Sequence, residues 1–420
     1  MNTITNERNK AMSRFAKPIG YIDGRPIHSL FGGDSVTDTY RGGYQTLGDV
    51  VNVTNDGVDL NALWAEFQAT MAIYNESRGR LVQLLTFPVT NIIETVPQVG
   101  EASFEMASEF GEPQAARVKL DYYQLGYDFH DYDVASRYTW MFLRDADARQ
   151  VEAVHQEILR ADSRLLFKKI MEAIFDNRNR VADIRNQNYN VYPLYNGDGT
   201  VPPTYKGNSF TGSHSHYLTS GNSKIDSGDL EDAYEHIAEH GYGIENGTQF
   251  VWLGNKAEIQ EIRKFRLGVA NNNSVVANYD FIPAPNQPAV IVPNAEGLLG
   301  SLPPSDFRGL RVTGSYADIL IVEEPMIPAG YFLLLASGGA GNLMNLVGFR
   351  EHANPAYRGL RLLPGNDQRY PLIDGYYARS FGTGVRQRAG AVIMQIGTGD
   401  GGAYEIPEKY KNNGILVDVD

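Results

Sequence analysis

Between Asp145 and Phe175 the apolar residues recur with helical spacing. Val151, Val154, Ile158, Leu165, Leu166, Ile170, Ala173 and Ile174 fall at i, i+3, i+4 and i+7 steps, which predicts one buried stripe. Arg149, Glu152, Gln156, Arg160, Asp162, Arg164, Lys168 and Glu172 lie between them and predict a wettable opposite face. No Gly or Pro interrupts the run, so it reads as a single amphipathic helix of about 30 residues and about 45 Å. Asp145 stands where an N-cap would accept a backbone N–H, and Asp147 where the helix dipole favours an acid. A rod of that length braces whatever packs along it.

Leu60, Leu63, Trp64, Phe67, Met71 and Tyr74 form a second stripe, opened by Asp59 or Asn61 and ended near Gly79. An aromatic stripe at this spacing reads as packing and not as a cofactor box. Thr86 to Glu105 reads as extended, because Pro88 and Pro97 oppose a helix. After Gly111-Glu112-Pro113, Arg117 to Tyr132 alternates and is dense in aromatics, with Val118, Leu120 and Tyr122 set against Lys119, Asp121 and Tyr123. Together the two segments predict a long two-stranded excursion. Such a hairpin is marginal in water by itself and needs support from outside.

Beyond the long helix, Asn177 to Asn190 is rich in Arg and Asn, and Asn196-Gly197-Asp198-Gly199-Thr200, Pro202-Pro203 and residues 207–223 are turn and loop chemistry. Loops of that length are uncommon without a function or an assembly role. A short helix from Asp229 to His240 carries Leu230, Ala233, Tyr234 and Ile237 on one face and is closed by Gly241. A strand from Gln249 to Leu253 and a helix from Lys256 to Leu267 follow. Strands at Asp318 to Glu323 and Tyr331 to Ala336, joined by a Pro325 to Gly330 turn, and at Tyr376 to Ser380 and Ala391 to Ile396 complete an α+β domain. Ala403 to Asp420 reads as a polar tail. At the other end, residues 1–58 hold Gly32, Gly33, Gly42, Gly43, Gly48 and Gly57 and no lasting periodicity. A segment without its own core cannot offset an ordering cost of about 1 to 2 kcal/mol per residue, so it predicts an arm ordered only by the remaining fold or by a neighbouring subunit.

Composition narrows the chemistry. At 420 residues and 42% hydrophobic content the chain can bury a sizeable core. It has no Cys, which excludes disulfides, thiolate nucleophiles and Cys-based metal clusters. No run approaches the roughly 20 apolar residues of a membrane span, and Met1 to Lys10 lacks an apolar core, so neither a signal peptide nor an anchor is expected. A net charge of −13 argues against wrapping nucleic acid with the whole surface. Arg8, Lys10, Arg14, Lys17 and Arg25 leave only the first residues mildly basic, which reads as a solvated arm.

Several motifs invite chemistry. His236-Ile237-Ala238-Glu239-His240 fits the H-x-x-E-H string of inverted zinc peptidases, two His ligands one helical turn apart with a Glu base. Helical-wheel placement puts His236 and Glu239 opposite the apolar stripe, facing solvent, where a zinc ion lacks a cavity. His240 is accounted for by the helix C-terminus, and no third ligand lies on a matching helix downstream. His214 and His216 read as members of a polar Ser/Gly loop. Gly338-Gly339-Ala340-Gly341 and Gly397 to Gly402 follow strands but lack the Gly-Lys-Ser/Thr of a phosphate loop and read as turns. No G-x-S-x-G elbow occurs. No catalytic, cofactor or metal site is assigned, and no enzyme is expected; a zinc hydrolase through His236, Glu239 and His240 stands as the remote alternative.

An arm, a long hairpin, a brace helix, long loops and an α+β domain, in that order, resemble the major capsid protein of tailed bacteriophages, the Hong Kong 97-like fold, which encapsulin shells share. Ala102-Ser103-Phe104 through Tyr127 is similar to that family's extended loop, and Ala135-Ser136-Arg137 to the entry of its spine helix. Asn196 to Thr200 is similar to the turn after the spine, Gln249 to Phe265 to a strand and helix of the axial domain, and Pro325 to Leu335 to a loop and strand there. The resemblance implies an α+β capsid fold with an N-terminal arm at 1–58, a helix region at 59–85, the extended loop at 86–133 and a peripheral domain at 134–224 with its spine helix at 145–175. The axial domain follows at 225–390, and a closing strand and tail at 391–420.

It also implies an icosahedral shell of pentamers and hexamers in the virion, assembled in the host cytoplasm around double-stranded DNA. Expected partners are copies of the same chain, with a separate scaffolding protein, a portal and decoration proteins, and loose contact with the DNA. Arms and extended loops would lie over neighbouring subunits and supply the outside support that the hairpin needs. Tyr122, Tyr123, Tyr127, Phe129 and Phe110 are the candidate contacts between subunits, since aromatics are enriched at interfaces. The founding member joins a Lys of its extended loop to a neighbour's Asn; Ala107 to Ala116 contains no Lys, so no such cross-link is expected. Only about 58 residues precede the first helix, so no cleaved scaffolding segment is expected either. An encapsulin-like compartment is the alternative shell.

Overall fold

The computed structural model describes residues 20–22, 25–27, 54–76, 79–99, 106, 111, 120–184, 187–285, 287, 302–364, 372–397 and 402–411. Most of the arm, most of the loop tip and the last nine residues lie outside that set. Within the arm, Gly20–Ile22 (β1) pairs antiparallel with Arg25–Ile27 (β2). The chain divides into two compact units, one of residues 1–71, 133–158 and 362–378, the other of residues 72–132, 159–361 and 379–420. Among the described residues no helix is long and apolar enough to cross a membrane.

The first unit is built on Leu60–Glu76 (α1) and the start of the long helix. Leu60, Leu63, Trp64, Phe67 and Met71 are all buried, as their spacing predicts. Asp59 Oδ1 accepts the N–H of Asn61 at 2.9 Å and so opens the helix. The predicted brace helix is a single helix of 28 residues, Ala148–Phe175, and Asp145 is not its cap. Asp145 instead ends a separate short helix, Trp140–Asp145. Asp147 Oδ1 accepts the N–H of Gln150 at 3.0 Å, and both carboxylate oxygens of Asp56 stand 3.3 Å from the N–H of Ala148. The cap thus comes partly from residues nearly a hundred positions upstream, which no local pattern shows. His155 stacks flat on Phe67 at 3.9 Å, and its Nδ1 lies 2.9 Å from the Tyr377 hydroxyl.

The second unit centres on an eight-stranded sheet. Its spine runs Phe281–Pro283, Leu310–Tyr316, Ile319–Glu323, Gln249–Gly254, Tyr331–Ser337, Ala391–Gln395 and Tyr217–Thr219, with Asp306–Phe307 pairing onto Leu310–Tyr316. The two strands joined by the Pro325 to Gly330 turn are not neighbours. Gln249–Gly254 lies between them, parallel to Ile319–Glu323 and antiparallel to Tyr331–Ser337. Alternation along the central strands feeds two cores. Phe250, Trp252, Ile319, Ile321, Phe332, Leu334, Val392 and Met394 face one side, where Leu230, Ala233, Ile237, Ile259 and Ile262 of the helices Ser227–Ala238 and Lys256–Ile262 cover them. Val251, Leu253, Leu320, Val322, Leu333, Leu335 and Ile393 face the other. They meet Leu81, Val82, Leu84 and Leu85 of the helix Arg80–Leu85 and Phe167, Ile170, Met171, Ile174 and Phe175 of the long helix. Each such side chain, fully buried, contributes roughly 1.5–3 kcal/mol relative to exposure.

Four readings of the sequence change. Asn177 to Asn190 is not irregular: Arg180–Ile184 and Gln187–Val191 form an antiparallel hairpin. The helix expected from Asp229 begins at Ser227, with Asp226 and Asp229 forming a reciprocal capping box. Ala403 to Lys411 is no free tail, because Tyr410 is fully buried, its hydroxyl donating to Met326 O at 2.6 Å, and Tyr404 Oη donates to Phe175 O at 2.9 Å. Asp162 and Glu172 leave the predicted wettable face. Glu172 is buried with Lys169 Nζ 2.7 Å away, and Asp162 is buried in contact with Arg379 and accepts from Tyr74 Oη at 2.9 Å.

Both members of the Asp162 and Arg379 pair are almost solvent-free, so loss of one strands the other's charge. Arg379→Ala and Asp162→Ala are each expected to cost about 3–5 kcal/mol, and the double change Asp162→Leu with Arg379→Met less than either. Calorimetric unfolding of the purified protein checks the ordering. Asp229 gives a pH effect of defined sign. Burial, with the charges of Asp226 and Asp232 behind it, raises its carboxyl from 3.8 to about 7. The native chain therefore holds a proton that the unfolded chain has lost in that window, and this group's contribution to stability falls as pH rises from about 4 to about 7. Asp229→Asn keeps an oxygen to accept the Asp226 N–H. It is expected to raise the melting temperature at pH 7.5 and to flatten its decline between pH 4.5 and 7.5.

Candidate functional site

The predicted excursion is present where it is described: Ile93–Val99 pairs antiparallel with Leu120–Gly126, from Ile93 opposite Gly126 to Val99 opposite Leu120. Its root is fixed by Tyr127, which is fully buried. The ring lies on Gly348 and Gly384, which face each other across the antiparallel strands Val347–Arg350 and Leu372–Val385. A Cβ at Gly348 would come within 2.3 Å of Tyr127 Cε1, and one at Gly384 within 2.8 Å of Cδ1. Only a pair of residues without side chains leaves this seat open. Tyr127 Oη donates to Glu94 Oε2 at 2.7 Å, and Arg386 Nε donates to Glu94 Oε1 at 2.7 Å. Burial, then the Glu94 carboxylate, raises the phenol, so it remains a neutral donor. The next residue is locked as well. Asp128 accepts the Thr383 N–H and stands 3.0 Å from Arg180 Nη1. A Cβ at Gly382 would fall 1.5 Å from Asp128 O.

Of the aromatic contact candidates, Tyr122 is 62% exposed. Tyr123 packs on its own chain, its hydroxyl donating to Arg386 O at 3.2 Å and its ring meeting Tyr192 edge to face at 5.7 Å. Tyr127 lies buried in the glycine seat of its own chain. Phe129 lies half-buried beneath the Arg350 guanidinium, 4.8 Å from the ring centre, and Phe110 lies outside the described residues.

The histidines converge in a way that the H-x-x-E-H string does not capture. His240 follows the helix Ser227–Ala238, where Gly241, at φ 88°, turns the chain beneath Tyr205. His214 and His216 come from the loop, two residues apart and so on one side of an extended segment. His240 Nε2 lies 2.9 Å from His214 Nε2 and 3.2 Å from His216 Nε2, and the three residues offer ring nitrogens all within 4.8 Å of one another. His216 is fully buried, and its Nδ1 donates to Ala391 O at 2.7 Å. His236 does not face open solvent. Its Nε2 donates to Ser215 O at 2.9 Å, and its ring stacks on His214 with centroids 4.5 Å apart. Phe210 covers His240 at 4.0 Å. Burial, and behind it the neighbouring imidazoles, pushes His214 down to about 4 and His240 to about 3, with His216 well below its ordinary value. The rings are therefore neutral at pH 7, each with a lone pair. The charge of Glu239 favours the protonated form of His236, and Glu239 is not a member of the cluster. The sequence signal for the true grouping was the His-x-His spacing at 214 and 216.

No protein-family model matches the chain, and no curated protein matches it. Among solved structures it is similar to a chain of Mycobacterium phage Patience, with 58% identity and a TM-score of 0.70 over 91% of this chain and 100% of that one. A chain of the bacteriophage PhiM1 mature capsid matches at 11% identity and a TM-score of 0.46 over 76% and 87% of the two chains. An encapsulin of Synechococcus elongatus matches at 12% identity and 0.41 over 76% and 86%. The chain belongs to the major capsid proteins of tailed bacteriophages, with the Hong Kong 97-like fold.

The glycine seat is testable. Gly348→Ala is expected to cost about 1–3 kcal/mol by overpacking against Tyr127, whereas Tyr122→Ala, at an exposed position, stays within about 0.5 kcal/mol of the parent. Chemical denaturation of both variants reads the difference.

Proposed function

We propose that this chain is the principal building block of an icosahedral virion shell around double-stranded DNA, assembled in the host cytoplasm as pentamers and hexamers. The observation that carries the reading is the 58% identity that extends over the whole of the phage chain. The hairpin adds a physical reason: its root is clamped while Tyr122 remains outward, so that ring is available to a second copy. Rings close through heterologous contacts, in which the hairpin of one subunit meets a different patch on the next. Permanent interfaces of that kind commonly bury more than about 2,000 Å². A scaffolding protein, a portal and decoration proteins are the further partners, and the acidic balance of the chain suits a container that must release its DNA. The loop tip without Lys is assigned no covalent link.

Electron microscopy of the untagged protein, expressed alone and with its genomic neighbours, tests the proposal. Rings, tubes or shells are expected, and Tyr122→Glu is expected to lower their yield without lowering the melting temperature. A monodisperse monomer under every condition would overturn the shell reading, and ladders of covalent oligomers on a denaturing gel would overturn the absence of a cross-link.

A further inference from the structure

We propose that His214, His216 and His240 form a structural site for one divalent transition-metal ion of the zinc class, which staples the 196–216 loop to the end of the helix Ser227–Ala238. The tautomers carry the argument. Ala391 O can only accept, so the proton of His216 is on Nδ1 and its Nε2 presents a lone pair to the cluster. His240 Nε2 faces that lone pair at 3.2 Å and His214 Nε2 at 2.9 Å. A proton on this nitrogen can point squarely at only one of the two, and without that proton its lone pair faces the lone pair of His216, so the protein alone cannot satisfy all three nitrogens. A cation held between the rings satisfies all three nitrogens together. Nitrogens about 2.0–2.1 Å from a tetrahedral zinc stand roughly 3.3 Å apart, close to both separations, and closing the third ring onto the ion is a side-chain movement.

The surroundings fit a metal ligand set. The bond from His216 Nδ1–H to a backbone carbonyl is the orienting contact that metal-bound imidazoles use. His236 is a positioning residue: its bond to Ser215 O and its stacking on His214 hold the His-x-His segment, and its nitrogen is already engaged. Phe210 and Tyr195 close the cluster from the side. Three neutral imidazoles favour zinc, nickel or copper over magnesium and calcium, which require oxygen ligands. No carboxylate belongs to the cluster, so the role assigned to it is structural and not hydrolytic. The loop has little regular pairing of its own. It contains isolated bridges at Asn196 with Ser215 and Tyr205 with Asn208 in place of a ladder, and a chain without Cys cannot fasten it with a disulfide.

The test uses the full-length untagged protein. After removal of metal with a chelator and dialysis, zinc titrated against a chromophoric competitor is expected to bind at one ion per chain and to raise the melting temperature. His214→Gln and His240→Gln are expected to abolish that binding, while His236→Gln keeps the stoichiometry and weakens affinity by roughly 10- to 100-fold. Because a variant could fail to fold, cobalt is added to the parent protein as a second probe. Visible absorption of tetrahedral intensity with nitrogen ligation by X-ray absorption supports the site. Absence of zinc uptake by the parent, an octahedral cobalt spectrum, or full binding that survives in folded His240→Gln would overturn it.

Discussion

The placement of the extended hairpin depends on one aromatic ring lying on two glycines. Gly348 and Gly384 are cross-strand partners, and neither contributes packing of its own. Tyr127 fills the gap that they leave, and in doing so fixes where the hairpin departs from the sheet. The polar contacts then follow from its position: Glu94 is drawn to the Tyr127 hydroxyl, Arg386 to Glu94, and Arg350 to the Tyr127 carbonyl oxygen. Glu94 thus accepts from both Tyr127 and Arg386 in one connected set, while Arg350 holds the Tyr127 backbone.

The larger core shows a different logic. A strand buried on both faces must be apolar at every position, and Gln249–Gly254, Ile319–Glu323, Tyr331–Ser337 and Ala391–Gln395 are nearly so. Odd and even residues then separate into two cores, one beneath the long helix and one beneath the two shorter helices. The closing segment seals the first of these, with Tyr410 in contact with Phe175 at 5.2 Å between ring centres.

These elements differ in how far they could be read from the sequence. Both long amphipathic helices were legible because their stripes repeat over many turns, and the central strands because continuous apolar runs bounded by turns have few other uses. Their order along the chain carried the family. The Arg180–Ile184 and Gln187–Val191 hairpin was not legible, since Asn and Arg have low strand propensity and the pairing is supplied by context. Asp162 looked solvated because its partner, Arg379, lies more than two hundred residues away. The seat of Tyr127 was not legible for the same reason: it is made by glycines that only the folded sheet brings beneath the ring. The histidine grouping failed at the string level, because a motif read along one helix cannot include ligands contributed by a separate loop.

The described part of the hairpin is seven paired residues long, about 23 Å at roughly 3.3 Å per residue, and it is held over its root half, at Tyr127, Asp128 and Tyr123. Mechanically it is a cantilever. A load applied beyond the root acts on the clamp at Tyr127 and Asp128 with a moment that grows with that length, so the greatest stress falls where the chain is most tightly fixed. Changes at the clamp therefore alter how much of such a load reaches the sheet at all.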